Sequence, residues 1–491
     1  MERSSGILMH LSSLPSPYGI GTLGKAAYEF ADFLCDSKQR YWQMLPVGHT
    51  GYGDSPYQSF SMYAGNPYFI DLDLLISEGL LTNEEVAACS WGEDEERVDY
   101  GAIYANRSRL LYCAYANGFA ALQPEIGAFC QENKGWLPDY ALFMALKEHF
   151  SMRPWIDWDE PIRRREPRAL KQYAKLLKDK VDFYTFVQFL FFRQWSSFRS
   201  YTREKDVHLI GDLPIYAAYD SAEVWSQPGC FLLDQDGRPT EVAGVPPDFF
   251  SSQGQLWGNP LYDWEALEQN GYALWMDRIA AAARMFDVIR IDHFRGLASY
   301  YSVPYGSATA EFGCWKKGPG TKLIDAMQMR FPSLPIIAED LGYLTPEVMA
   351  LLQHSGYPGM KVLQFAFDER EPGNYLPHTY PNNCVCYLGT HDNATLTGWL
   401  NEIAPLERAH AKAYLGLNAE EGELWGLVRG GMGSTADLFV AQMQEYLELP
   451  PSCRMNTPGR VGGNWQWRMK PGACTPAFAE KLALITKRYG R

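Results

Sequence analysis

The sequence predicts a (β/α)8 barrel, a closed ring of parallel strands with helices outside. Three observations carry that expectation. Eight short apolar runs end in polar clusters, helical stretches lie between several of them, and three of the runs finish in carboxylates. Alternating strands and helices favour a parallel sheet, because a parallel partner needs a crossover long enough to hold a helix. A ring of eight strands gathers its working residues at the C-terminal strand ends.

In chain order the runs are GILMHLSSLP (6–15), YWQMLPVG (41–48), HLIGDLPIY (208–216), DVIRIDHF (287–294), PIIAEDLG (335–342), KVLQFAF (361–367), CVCYLGTHDN (384–393) and LFVAQMQEYL (438–447). Helical patterning is clear at 25–37 and 274–285. Residues 77–206 read as a mostly helical insertion after the second strand, with amphipathic stretches such as LPDYALFMALKEHF. Residues 217–271 are rich in Gly, Pro and aromatics, and so long a connection reads as a substrate-covering loop region. The whole of 1–491 then reads as one catalytic barrel with insertions.

Composition excludes several classes. With 46% hydrophobic and 21% charged residues the chain belongs with folded proteins. The excess of 58 acidic over 44 basic residues gives a net charge of −14, which disfavours a nucleic-acid partner. Aromatic residues make up 14%; they fit a large core, and their flat faces also suit stacking on sugars. The ten cysteines form no CxxC pair, and Cys384 and Cys386 share one side of a strand, so free thiols in a reducing compartment are expected. The opening MERSSGILMHLSS has no apolar signal core, and no run of about 18 apolar residues occurs. A cytoplasmic protein without a membrane segment is expected, and no oligomeric contact is legible.

The charged strand ends carry the chemistry. Arg290 and Asp292 are two apart on a strand and share its inner side, while Ile289 and Ile291 face the helices. His293 falls at the strand end. The next run delivers Glu339 and Asp340, and a later one His391 and Asp392. One carboxylate able to attack an anomeric carbon and another able to protonate the leaving oxygen are what retaining glycosyl transfer needs, about 5–5.5 Å apart. An Arg beside the nucleophile favours its ionised form, and the acid needs a raised pKa. A single Arg-x-Asp is more often an internal ion pair, and His with Asp can bind metal, although the H-E-x-x-H spacing is missing. The recurrence on three strands favours catalysis.

RIDHFRG, IIAEDLG and GTHDN resemble the three catalytic strand ends of the α-amylase clan. The flanking SPYQSFSMYAGNPYFIDLDLL, GDLPIYAAYDSAEVW, GVPPDFFSSQGQLWGNPLYDW and RMNTPGRVGGNWQWR narrow the resemblance to the amylomaltases, or 4-α-glucanotransferases, over residues 6–468. That resemblance implies Asp292 as nucleophile, Glu339 as general acid/base, and Asp392 as a carboxylate that holds sugar hydroxyls and helps distort the ring. It implies sugar contacts from Arg290, His293, His391 and Asp212, a donor side with Ser55, Tyr57 and Asn464, and an acceptor platform at Trp257. The implied substrates are maltooligosaccharides and longer α-1,4-glucans with glucose as an acceptor, and no metal or cofactor. Tyr57 and Trp257 also read as packed aromatics, and Asn464 as a residue tying down a turn. The chain departs from the pattern at Ala394, where many relatives carry an acid, and at Phe249, where Tyr is common. Alternatives are a hydrolase of the same clan, a non-catalytic glucan-binding barrel, and a metal-dependent hydrolase.

Overall fold

The computed structural model of the chain describes residues 2–51, 53–247, 252–342, 344–368, 375–460 and 462–491. Twelve strands occur among them: β1 (Ser4–Leu8), β2 (Tyr41–Met44), β3 (His208–Leu213), β4 (Glu241–Val245), β5 (Gln255–Pro260), β6 (Val288–Ile291), β7 (Ser299–Pro304), β8 (Cys314–Lys317), β9 (Ile336–Ala338), β10 (Gly359–Val362), β11 (Cys384–Tyr387) and β12 (Leu438–Gln442). Eight are parallel, in the order β10-β11-β12-β1-β2-β3-β6-β9. The ends of that order meet: the Ala338 amide donates to the Pro358 carbonyl at 2.9 Å, and Asp340 accepts from the Met360 amide at 2.6 Å. Gly359 is required there, since a Cβ would come within 2.7 Å of the Asp340 carboxylate. The predicted barrel is present.

Strands buried on both faces read as continuous apolar runs, and β11 and β12 are buried throughout. The runs overestimate strand length where a polar residue takes the chain out of the ladder. KVLQFAF is only partly strand: β10 begins at Gly359 and stops at Val362, and Leu363–Phe367 is a 3-10 turn. The turn is fixed by Gln364, whose amide side chain donates to the Ala394 carbonyl at 2.9 Å. LFVAQMQEYL likewise divides into β12 and a helical turn, Met443–Tyr446, and β1 ends at Leu8, ahead of a 3-10 turn at Leu11–Ser13. The two helices expected at 25–37 and 274–285 are Lys25–Asp36 and Ala273–Met285.

Between β2 and β3 the chain runs through helices from Leu72–Ser77 to Lys178–Glu204. The last has 27 residues; it buries Phe186, Phe191, Trp195 and Phe198, and the Trp195 indole donates to the Met285 carbonyl at 3.2 Å. The 217–271 connection holds more regular structure than its composition suggests. It contains the helices Ala222–Ser226 and Trp264–Gln269 and the strands β4 and β5. These strands join β7 and β8 in an antiparallel sheet of order β5-β4-β7-β8. No helix among the described residues is long and apolar enough to cross a membrane. All ten cysteines are free.

Candidate active site

At the C-terminal end of β6 the predicted inner pair is a charge cluster. Arg290 is buried, and one of its guanidinium nitrogens donates to both Asp212 oxygens, at 2.6 and 2.7 Å, and to Asp292 at 3.0 Å. Asp212 comes from the adjacent strand, where the register sets it opposite Arg290. The next residue, His293, has φ 52° and ψ 46°, a left-handed conformation that costs a non-glycine about 1 kcal/mol or more. That turn aims its main-chain amide at Glu339, which accepts it at 2.7 Å and the Leu341 amide at 2.8 Å. Glu339 is therefore oriented by two backbone donors, a feature no sequence pattern exposes. Trp257, on β5, lies edge-on to the His293 ring at 4.8 Å.

The facing wall is built from β11 and two loops. His391 is buried, and its Nε2 pairs with the Tyr57 hydroxyl at 2.9 Å and lies 3.4 Å from Asp392. The Tyr57 hydroxyl donates to Asp212 at 2.7 Å, so it joins the two walls. The Tyr57 ring is stacked on His391 at 5.3 Å. Ser55 accepts the Tyr57 amide at 3.3 Å. Behind this segment the buried Glu223 accepts the Ser61 hydroxyl at 2.6 Å and the Met62 amide at 2.9 Å.

Asp392 is held by residues the sequence reading did not single out. Asn456 donates its side-chain amide to Asp392 Oδ1 at 2.6 Å and its backbone amide to the His391 carbonyl at 3.1 Å. Arg454 donates to the carbonyls of Asp392 and Asn456. RMNTPGR gave a signal, but nothing in it says which strand it serves. Asn464 stays within its own loop: it accepts the Thr457 amide at 3.0 Å and donates to the Arg460 carbonyl at 2.9 Å. Ala394 meets Gln364 through its carbonyl, and Phe249 lies outside the described residues. No three His, Cys, Asp or Glu side chains among the described residues are grouped to hold a metal.

The electrostatics follow from burial around one guanidinium. Burial raises the Asp292 pKa well above the carboxylate range; Arg290 opposes this, while Asp212 and Glu339 add to it. Burial also raises Glu339, against Arg290 and its two backbone donors. For Arg290 burial works against the charge, but Asp212 and Asp292 outweigh it and hold it protonated. Both carboxyls thus resist ionisation beside one cation, and they titrate as a coupled pair. Burial pushes His293 down to about 3, so its ring is neutral. Burial also lowers His391.

Comparison with known proteins decides the family. The 4-alpha-glucanotransferase family model matches residues 9–475. The chain belongs to this family. A 4-alpha-glucanotransferase from Clostridium butyricum is 45% identical over 485 residues, covering 98% of this chain and all of the relative. One from Thermus thermophilus is 46% identical, covering 100% of this chain and 99% of its own. The structure of an amylomaltase from Streptococcus agalactiae in complex with acarbose superposes with a TM-score of 0.98 at 40% identity, with both chains fully covered. The present chain is thus a 4-α-glucanotransferase acting on α-1,4-glucans, and a hydrolase of the same clan is not favoured. This 4-α-glucanotransferase carries its charged strand ends on a barrel shared with that amylomaltase.

Proposed function

We propose that this glucanotransferase works by double displacement, with Asp292 as nucleophile and Glu339 as acid/base. The observation that carries the assignment is their placement. Asp292 lies 3.0 Å from a buried guanidinium, while Glu339 is 8% exposed and fixed by two backbone amides at the end of the adjacent strand. In the reactive form Glu339 is protonated and Asp292 is ionised beside Arg290. Asp292 attacks the anomeric carbon as the glycosidic bond breaks, and Glu339 gives its proton to the departing oxygen. The 4-hydroxyl of a second glucan, or of glucose, then gives its proton to Glu339 and displaces Asp292, so the α configuration is retained.

We assign Asp392, Arg290, His293, His391 and Asp212 to the sugar whose bond is cut. Trp257, beside His293, suits an acceptor platform. The Tyr57 ring is occupied by His391, so its part falls to the hydroxyl that ties Asp212 to His391. Ser55 and Asn464 support the segments around the donor side. Residues 77–206 act as an inserted helical unit. Residues 217–271 act as a cover that keeps water from competing with the acceptor, so that positioning supplies a large effective molarity. The ten free cysteines suit a reducing, cytoplasmic setting.

The test is incubation of the pure protein with maltotriose alone, with products resolved by length and reducing ends counted. A ladder of longer maltooligosaccharides with glucose and a constant number of ends is expected, because each transfer conserves ends. Rising ends without a ladder would overturn the transfer mechanism and the role of the cover.

A further inference from the structure

We infer that Asn456 is the positioning residue of Asp392: through its side-chain amide, the C-terminal segment sets the direction in which the third carboxylate meets the sugar. This rests on the reading of Asp392 as the carboxylate that grips the ring undergoing transfer. Asp392 differs from its two companions. Its side chain is 47% exposed, its strand ended five residues earlier at Tyr387, and among the described residues no guanidinium or pair of main-chain amides holds its oxygens. Left to the loop alone, such a carboxylate would sample several rotamers.

The segment 454–456 removes that freedom at three points. The Asn456 side chain takes Oδ1 at 2.6 Å, its backbone amide takes the His391 carbonyl at 3.1 Å, and Arg454 takes the Asp392 carbonyl. The clasp is itself braced, because Arg454 donates to the Asn456 carbonyl at 2.6 Å and the Trp465 amide donates to the Met455 carbonyl at 2.7 Å. With Oδ1 bonded to Asn456, Oδ2 is the oxygen left available to sugar hydroxyls. An amide is suited to this task because it donates to the carboxylate without bringing a charge that would compete with Arg290 for the neighbouring acids. Asn456 bonds Asp392 directly, so the inferred effect passes through that carboxylate. Contacts that tighten as the ring flattens act on kcat more than on KM.

The test is a double-mutant cycle on the full chain with maltotriose, and with α-maltosyl fluoride as an activated donor so that slow variants stay measurable. N456A is expected to lower kcat by about 10²-fold, the scale of a misplaced catalytic contact, with KM changed less than about threefold. In a D392A background the same substitution is expected to cost nothing further. N456D keeps the volume and the backbone bonds but exchanges the donor for an acceptor; it should fall at least as far as N456A while unfolding at the wild-type temperature, and it carries the test if N456A does not fold. An N456A enzyme with unchanged kcat, a loss confined to KM, or an equal loss in the D392A background would each overturn the inference. A D392A enzyme with full activity would instead overturn the reading of Asp392 beneath it.

Discussion

The two walls of the cleft hold their carboxylates by different means. On the β6–β9 wall, Asp292 is set by strand register and the Arg290 guanidinium, and Glu339, 8% exposed, by burial and two backbone amides. On the β11 wall, the Asp392 side chain is 47% exposed and is steered by hydrogen bonds from a segment more than sixty residues further along the chain. Charge and desolvation tune acidity, which the proposed reacting pair would need. Hydrogen bonds fix direction, which the proposed sugar-gripping role of Asp392 would need. The difference teaches that the carboxylates near Arg290 are placed and tuned together by their own strand ends, whereas Asp392 takes its direction from a distant segment that can be changed without touching that cluster.

The largest effect should come from the charged wall. D292N leaves the cluster's shape but removes the attacking oxygen's charge, and activity on maltotriose should fall by about 10⁴-fold or more, read as ladder formation over time. A mild loss would show that Asp292 is not the nucleophile. R290M should cost about 10²–10³-fold and also change the pH profile. Without the guanidinium, both Asp292 and Glu339 hold protons to higher pH, so the acid limb of kcat/KM should move upward. An unmoved limb would mean that Arg290 does not tune the pair.

A smaller effect is expected at the crosspiece between the walls. Y57F deletes a hydroxyl that serves Asp212 and His391, and losing hydrogen bonds to such groups is worth about 1.5–3 kcal/mol, or about 10–100-fold in kcat/KM. If Y57F acts only on KM, the walls do not depend on their link. The smallest effect lies behind Tyr57 and is one of stability. Burial raises the Glu223 pKa to about 7, against an ordinary 4.5. The folded state therefore keeps a proton that the unfolded chain gives up. The stabilisation is complete below about pH 4.5 and disappears as pH rises through about 7, a difference of about 3 kcal/mol. E223Q resembles the protonated acid and lacks that dependence. Its Tm should match the wild type at low pH and exceed it by a few degrees at pH 8, and parallel Tm curves would refute the assignment.

How much of this was legible in the sequence depended on whether a residue's partners are fixed by period. Arg290 and Asp292 share a side because strand side chains alternate, and the strand ends carrying Glu339 and Asp392 could be placed from apolar runs. The antiparallel sheet was not legible, because β4 pairs with β7 across the whole helix Ala273–Met285 and β6, and its strands are interrupted by Gly and Pro. The left-handed His293 and the Asn456 clasp were hidden for a related reason. One is a backbone state that histidine rarely adopts, and the other is a long-range hydrogen bond with no periodic signature. The motif resemblance supplied the roles of Asp392 and Trp257, whose spacing alone was silent.

The antiparallel sheet has a mechanical consequence. β4 and β5 belong to the connection after β3, while β7 and β8 belong to the one after β6, and the β4–β7 ladder stitches the two together. The β4–β7 ladder couples the two connections, so a displacement of either one is carried to the other through its hydrogen bonds. The coupling should also survive a cut. A protease nick in one connection leaves the cross-stitched ladder intact, and the severed chain should stay assembled.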